Sequence, residues 1–197
     1  MIKYQSIIIN FLDETSQSIE KKIDKIKAVL LNLNQDGIVW VIVSNYVHNS
    51  ELVMTSFEVA RQFLELKLKN IILVPDFRRL KKGMVFINST YEILFFTKSE
   101  TYFFNKDPIR EKHIWKDVEW GKRAKNYHEL GKDPGNVWLK TEDDGKSRIT
   151  KHVLLNFNEV IDRLIKSSLK KRSNCLLINL SQIKDSTAEV NIYHESV

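Results

Sequence analysis

Continuous apolar runs alternate with amphipathic stretches along the first half of the chain. Residues 3–10, 38–43 and 70–74 are short, rich in β-branched residues and apolar at most positions, which predicts strands buried on both faces of a sheet. Between them, residues 16–33 and 51–68 place apolar side chains at helical spacing. This alternation predicts β-α-β-α-β units, and therefore an α/β fold with a mostly parallel sheet.

The second helical stretch predicts which of its side chains enter the core. Its apolar residues recur every three or four positions, as on the buried face of an amphipathic helix. The dipeptide Asp36-Gly37 follows the first helical stretch and is expected to be the turn that ends it. The predicted core positions of the second helix are Leu52, Phe57, Ala60, Phe63, Leu64 and Leu68.

The second half of the chain predicts further strands and one helix. Residues 91–97 predict a strand and residues 101–105 a short one, so that a turn near Ser99-Glu100 joins them as an antiparallel hairpin. An amphipathic helix is predicted over residues 156–169 and a last strand over residues 175–180.

A polar stretch separates these elements. Residues 106–150 are basic and irregular, and we expect them to form a recognition-like insertion in a core built from residues 1–105 and 151–197. A length of 197 residues, with three Pro and six Gly, predicts one domain carrying such an insertion rather than several domains joined by linkers.

Several classes of protein are disfavoured by the composition. The single cysteine, Cys175, lies in an apolar run and predicts a buried, unreactive thiol. None of the five His pairs with another at metal-ligand spacing, so no metal site is expected. No apolar run approaches the roughly 20 residues that span a bilayer, and no signal peptide is evident, so we expect a cytoplasmic protein without membrane contact.

The net charge of +6 is concentrated in part of the chain. Basic residues between 106 and 132 alternate with Trp and Tyr, which suits phosphate contact combined with base stacking, although a solvated lysine-rich surface has the same pattern. Trp138 follows a Pro-Gly turn and either packs its loop against the sheet or contacts DNA or a partner. The candidate nucleic-acid contacts are Lys98, Arg110, Lys112, Lys116, Arg123, Lys132 and Trp138.

Three segments in a fixed order carry a family resemblance. They are residues 91–99, 131–138 and 152–165, and their order and spacing resemble the β-class amino-methyltransferases of DNA, which methylate adenine N6 or cytosine N4. The resemblance implies a three-layer α/β sandwich of the Rossmann-like, S-adenosylmethionine-dependent methyltransferase type, with an antiparallel hairpin in a mostly parallel sheet. It also implies that the catalytic half precedes the cofactor half.

The catalytic tetrapeptide of that family is not intact here. Its position after the first strand is occupied by Asn10, Phe11, Leu12 and Asp13, of which only Asn10 keeps the expected type. In the family, two prolines hold a turn whose first side chain and adjacent carbonyl accept from the target amino group, and an aromatic residue stacks on the flipped base. Without that turn, Asn10 is expected to be a polar end of a strand.

The cofactor positions also depart from the family. His152 is followed by Val153, where a proline is usual, and the last strand continues through Ile178, Asn179 and Leu180 without a glycine at which the backbone could approach the cofactor. The next strand, which in the family carries the acidic residue for the ribose hydroxyls, is expected to lie beyond the end of the sequence.

We therefore predict a catalytically inactive, methyltransferase-like subunit that needs no cofactor. It would bind DNA through residues 106–150 and form a homo- or heterodimer with a methyltransferase-like chain. The alternative is an active N6-adenine or N4-cytosine methyltransferase of a restriction–modification system, or one half of a split enzyme, that uses S-adenosylmethionine and orients the target amino group with Asn10. A protein-interaction module without DNA contact is the third possibility.

Overall fold

A six-stranded mixed sheet forms the centre of the computed structural model, which describes residues 2–77, 89–112, 128–143, 150–180 and 190–197. None of the helices in these ranges is both long and apolar enough to cross a membrane. The helices are α1 (Ser16–Leu30), α2 (Thr55–Gln62) and α3 (Phe157–Ser168), with a 3-10 helix at Asp107–Ile109. The strands are β1 (Tyr4–Phe11), β2 (Leu33–Val43), β3 (Tyr46–His48), β4 (Glu51–Val53), β5 (Lys67–Pro75), β6 (Thr90–Thr97), β7 (Lys140–Asp143), β8 (Thr150–Val153), β9 (Asn174–Ile178) and β10 (Asn191–Glu195).

The sheet has the strand order β10-β9-β1-β2-β6-β5. The four strands from β10 to β2 are parallel to one another, whereas β6 runs antiparallel to both β2 and β5. In the central register, Ile8 of β1 lies opposite Trp40 of β2 and Leu177 of β9. The predicted mostly parallel α/β sheet is therefore confirmed.

The side chains of β1 alternate between two hydrophobic clusters. Ile7 and Ile9 belong to the cluster that contains the buried faces of α1 and α2, and Ile8 belongs to the cluster that contains α3. All three are fully buried, and burying one such side chain contributes about 1.5–3 kcal/mol. Helices on both faces of the sheet make the three-layer sandwich that the family resemblance implies.

Helix α3 begins where its sequence provides a cap. The Asn156 side chain accepts from the backbone N–H of Glu159, and the Glu159 carboxylate accepts from the backbone N–H of Asn156. This reciprocal pair satisfies two backbone donors that the helix itself leaves without partners. The predicted last helix is confirmed and spans Phe157–Ser168.

The predicted helix over residues 51–68 is wrong at both ends. Its first residues form β4, which pairs with β3 in a hairpin whose turn places Asn49 and Ser50 at positive φ, and its last residues belong to β5. The remaining eight-residue helix has room for one buried stripe, which contains Val59 and ends at the buried Phe63. Ala60 packs against that core, but the other predicted core positions, Leu52, Phe57, Leu64 and Leu68, are exposed.

Two turn predictions are also wrong. Asp36-Gly37 lies inside β2, at a bulge where the partners of β1 change from Tyr4–Leu33 to Ser6–Ile38. Residues 101–105 form no strand, and the antiparallel partners of β6 are β2 and β5 instead. Aromatic residues in that segment lie over the face of the sheet, since the ring centroids of Phe95 and Phe104 are 5.2 Å apart.

The region predicted as an insertion has structure of its own. It contains the 3-10 helix, and β7 pairs with β8 as a separate two-stranded sheet. Its 133–138 segment is attached to the edge of the main sheet, where the backbone N–H of Trp138 donates to Leu73 O at 2.9 Å. The predicted boundary at residue 150 falls within β8, and the division into core and insertion stays a prediction.

Candidate functional site

Three parallel strands end side by side at one edge of the sheet. Because β1, β9 and β10 are neighbours with the same direction, their carboxyl ends bring together the Asn10–Asp13 segment, Asn179–Leu180 and Glu195. In open α/β sheets this edge is where ligands bind. We call it the strand-end edge, and it contains most of the residues that the sequence proposed for catalysis and cofactor binding.

At the strand-end edge, both ends of the Asn10 amide are used within the chain. Its Oδ1 accepts from the backbone N–H of Leu12 at 3.1 Å, and its Nδ2 donates to Asn179 O at 3.4 Å. Phe11, which stands at a proline position of the family tetrapeptide, is fully buried in the cluster that contains α1 and α2. The Asn10 side chain therefore holds its own turn and joins the ends of β1 and β9.

Asn179 occupies the place where the family turn begins. Its φ of 58° lies in the left-handed region, which Asn tolerates better than most residues other than Gly. Its Oδ1 accepts from the backbone N–H of Val197 at 3.0 Å, and its backbone N–H donates to Glu195 O at 2.9 Å. The asparagine side chain thus ties the end of β9 to the segment after β10.

A further strand follows β9 within the sequence, so the expectation that the next strand lies beyond its end is wrong. β10 pairs in parallel with β9 and ends at Glu195, whose Cα partner is Ile178. Glu195 is exposed and is the last residue of β10. The sequence analysis did not predict β10, because a five-residue strand gives only a weak periodic signal. The signal that was present is that two of the three residues 191–193 are β-branched or aromatic.

The other proposed cofactor positions do not converge on a binding surface. Ile178 and Leu180 are buried on opposite faces of the sheet. His152 is exposed in β8, opposite Thr141. Residues 181–189, where the family has its glycine-rich turn, lie outside the described part of the chain.

Two of the proposed DNA contacts stabilise the chain itself. Lys98 donates from Nζ to Leu33 O at 3.0 Å. The Arg110 side chain is 8% exposed, pairs with Asp107 at 2.6 Å and donates to Gly131 O at 3.2 Å. Lys112 and Lys132 are exposed, whereas Lys116 and Arg123 lie outside the described residues.

The proposed contact Trp138 packs its loop in this structure. The indole is 2% exposed, and its Nε1 donates to Gly135 O at 3.1 Å across the Pro-Gly turn. The guanidinium carbon of Arg163 lies 5.7 Å from the centroid of its ring. Of the two roles that the sequence allowed, this geometry corresponds to packing against the sheet.

A cleft of about 700 Å³ separates the start of the insertion from the outer face of α3. We call it the insertion cleft; sequence reasoning missed it because its walls come from residues 108–112, 140–142 and 155–166. Glu111 pairs with Arg163 at its base, and Glu111 Oε2 accepts from the backbone N–H of Thr141 at 2.9 Å. The basic side chains that line it are Arg110, Lys112, Lys140, Arg163 and Lys166.

Charge in the insertion cleft is mixed. Lys140 Nζ lies 3.2 Å from Glu142 Oε1 and 3.5 Å from Glu159 Oε1. The hydrogen bond with Glu142 is the main cause that raises the pKa of Lys140. Lys166 pairs with Asp162 at 2.6 Å. Both lysines are about half exposed, so each can exchange its carboxylate partner for a phosphate.

Comparison with known proteins agrees with this geometry. A model of the DNA methylase family matches residues 6–176. No match was found among curated proteins. Similar solved structures include the cytosine-N4-specific PvuII DNA methyltransferase, with 11% identity, TM-score 0.62, and coverage of 100% of this chain and 77% of that one. M1.HpyAVI has 15% identity, TM-score 0.58 and coverage of 100% and 83%, and its complex with S-adenosylmethionine has 14% identity, TM-score 0.53 and coverage of 100% and 84%. Identities this low show a shared fold.

Proposed function

This chain belongs to the DNA methylase family, and we propose that it is a member without methyl-transfer activity that binds DNA and pairs with a methyltransferase-like chain. The family match and the sheet topology establish the family and the fold, but not the activity. The loss of catalysis, the DNA contact and the pairing each rest on separate features of the molecule.

The observation that carries the loss of catalysis is the use of the Asn10 amide. An enzyme of this family needs the first side chain of its tetrapeptide to accept from the target amino group, on a turn fixed by two prolines. Here Asn10 accepts from Leu12 N–H and donates to Asn179 O, and no proline or aromatic ring follows at the required positions. A target amino group would therefore meet an Asn10 oxygen that already accepts from Leu12 N–H on a turn without prolines, and it would meet no stacking ring.

The strand-end edge fits S-adenosylmethionine poorly. The Glu195 carboxylate has the residue type that the family uses for the ribose hydroxyls, and the cofactor, when bound, would supply the methyl group. Neither Asn179 nor Leu180 is a glycine that would let the backbone approach a ligand closely, and the Asn179 side chain is already bonded to Val197 N–H. We infer that the isolated chain does not retain the cofactor.

Calorimetry with S-adenosylmethionine and a methyl-transfer assay on mixed-sequence DNA test these two statements separately. We expect no micromolar binding and no transfer by the isolated chain. Binding without transfer would overturn only the cofactor inference, and its loss in Glu195→Gln would place the ligand at the strand-end edge. Transfer by the isolated chain would overturn the proposed loss of catalysis.

DNA binding is supported by the exposed lysines of the insertion. Lys112 lines the insertion cleft, and Lys132 is exposed on the neighbouring segment, whose backbone pairs with Glu111. Reversing both charges, Lys112→Glu with Lys132→Glu, should weaken duplex binding at low salt and reduce its salt dependence by about two phosphate contacts. Lys25→Glu, an exposed position on α1, is the matched control. Equal retention of wild type and both variants would instead favour a module without DNA contact.

Pairing is supported by an exposed apolar surface around α2. Leu52, Met54, Phe57 and Leu64 are all more than half exposed, and Leu64 reaches 83%. A group of exposed apolar side chains on a folded domain typically marks an interaction surface. Light scattering on the isolated chain tests the homodimer, and co-purification with a methyltransferase tests the heterodimer. The double variant Phe57→Ser, Leu64→Ser should abolish whichever forms, and a monomer in both assays would contradict the pairing.

A further inference from the structure

A groove of about 260 Å³ lies between the first two helices, α1 and α2. Two acidic residues line it, Glu20 from α1 and Glu58 from α2, together with amide and hydroxyl side chains. No Lys, Arg or His lines it. We call it the α1–α2 groove, and it is a local acidic site on a chain whose net charge is +6.

The two carboxylates of the α1–α2 groove lack a counterion within the described part of the chain. Glu20 and Glu58 are both exposed, and neither forms an ion pair or a hydrogen bond with a residue that the structure describes. Like charges on either side of a groove repel each other, and a cation placed between them removes that repulsion. The accessible carboxylates therefore favour a cationic group as the occupant of the groove.

Two enclosed hydroxyl groups in the same groove also lack partners. Ser16 and Thr55 both line the groove, and Thr55 is fully buried. Ser16 Oγ and Thr55 Oγ1 have no hydrogen-bond partner among the described residues. Because an enclosed polar atom without a partner costs free energy, these hydroxyls indicate that the groove is incomplete without a further polar group.

The outer face of α2 carries a cation without a carboxylate partner. Arg61 is exposed, and its guanidinium carbon lies 6.0 Å from the centroid of the Phe57 ring. It forms no ion pair with the described residues, although Glu58 is three positions away on the same helix. Phe57 and Leu64, on either side of it in sequence, are both more than half exposed. This short stretch therefore displays a cation and an anion that are not paired with each other, next to two exposed apolar side chains.

We propose that the partner at α2 is a second copy of this chain, and that Arg61 of each copy enters the α1–α2 groove of the other. This homodimer rests on the proposed pairing and names the partner and its contacts. If two α2 helices pack antiparallel about a two-fold axis at their middle, Glu58 of each copy faces Arg61 of the other, because the two positions are equally far from that axis. A two-fold interface brings one surface against itself, and the charges of α2 are complementary to themselves in this arrangement.

A guanidinium suits the α1–α2 groove because of its geometry. It presents five N–H donors in a planar fork, which can bond to the carboxylates of Glu20 and Glu58 at the same time. The exposed Phe57 and Leu64 lose water contact in the same dimer and supply affinity, whereas the two charge pairs fix the register of the helices.

The test is sedimentation equilibrium of the full chain at concentrations up to about 100 µM, where we expect a reversible dimer. Glu58→Arg places cations on both sides of each contact and Arg61→Glu places anions there, so each variant alone should dimerise at least about tenfold more weakly. An equimolar mixture of the two variants should recover the dimer, because every contact then joins opposite charges. Lys25→Glu, an exposed position on α1 outside the groove, is the matched control.

Three results would overturn this homodimer. They are a monomeric wild type throughout the concentration range, single variants that both dimerise as tightly as the wild type, and a mixture of two cooperatively melting variants that associates as weakly as its components. A monomeric wild type that co-purifies with a methyltransferase overturns the homodimer alone and leaves the proposed pairing intact. A monomer that co-purifies with no such chain overturns both.

Discussion

Arg163 of α3 pairs with Glu111 at the start of the insertion, and each side chain is only 11% exposed. The carboxylate is further fixed by Thr141 N–H, so one ionic contact connects α3, the insertion and β7. Arg163 also lies beside the ring of Trp138. A largely buried charge pair therefore attaches the insertion cleft to the core.

Glu111→Gln should destabilise the protein by about 1–3 kcal/mol, because it removes the ionic partner of the largely buried Arg163 guanidinium. Urea unfolding measures the change. Glu142→Gln removes one partner of a half-exposed pair and should cost less than about 1 kcal/mol. The double variant Glu111→Gln, Arg163→Met should recover part of the loss, and equal costs for Glu111→Gln and Glu142→Gln would contradict this account.

Cys175 should resist thiol reagents in the native state. Burial raises the pKa of its thiol to about 12, well above the usual value, and the side chain is fully enclosed. In native buffer at pH 8, a disulfide reagent should modify Cys175 only as fast as the protein unfolds. In urea, where the chain is already unfolded, the same reagent should modify Cys175 immediately. Because the unfolded thiol ionises at lower pH than the folded one, this group makes stability fall as the pH rises above its ordinary pKa. A fast reaction in native buffer would show an accessible thiol.

Asp133 should make the 133–138 turn sensitive to acid. The hydrogen bond from Lys106, and then that from Gly135 N–H, hold the pKa of the Asp133 carboxyl below its usual value. Its contribution is present above the ordinary carboxyl pKa and is lost as the pH falls through the lowered one. Since the side chain is half exposed, we expect about 0.5 kcal/mol or less. Unfolding of wild type and Asp133→Asn should differ at pH 6 and converge toward pH 2.

Asn156→Ala should cost about 1 kcal/mol, since it removes the cap that satisfies the backbone N–H of Glu159. Asn158→Ala, two residues further along and exposed, leaves that cap intact and serves as the control. Thermal unfolding followed by circular dichroism compares the two. A loss of similar size in both variants would mean that the cap contributes nothing specific.

The buried strands and the last helix could be predicted because their signals are local. β1 and β2 are apolar on both faces, and α3 has a cap as well as a periodic stripe. The wrong predictions concern residues whose positions are set by tertiary packing and not by the local pattern of apolar side chains. Leu52 and Leu64 have helical spacing but face outward, and residues 101–105 cover the sheet face instead of extending it.

The candidate sites were less predictable than the fold. The position of Asn10 followed from its place after the first strand, but its bond to Asn179 joins residues 169 positions apart. The insertion cleft likewise combines segments distant in sequence, and periodicity carries no information about which of them meet. Arg110 and Lys98 illustrate the same limit, since composition does not separate a basic side chain that stabilises a turn from one that faces solvent.

The pairing of β1 with β9 has a consequence for biosynthesis. The middle of the sheet pairs β1 with a strand that is synthesised much later, so Ile7, Ile8 and Ile9 stay half-covered while the intervening chain is made. A nascent chain stalled before Asn174 would expose that isoleucine run along an open backbone edge. We expect such arrested chains to be retained by chaperones, and release to coincide with emergence of the segment that docks beside them.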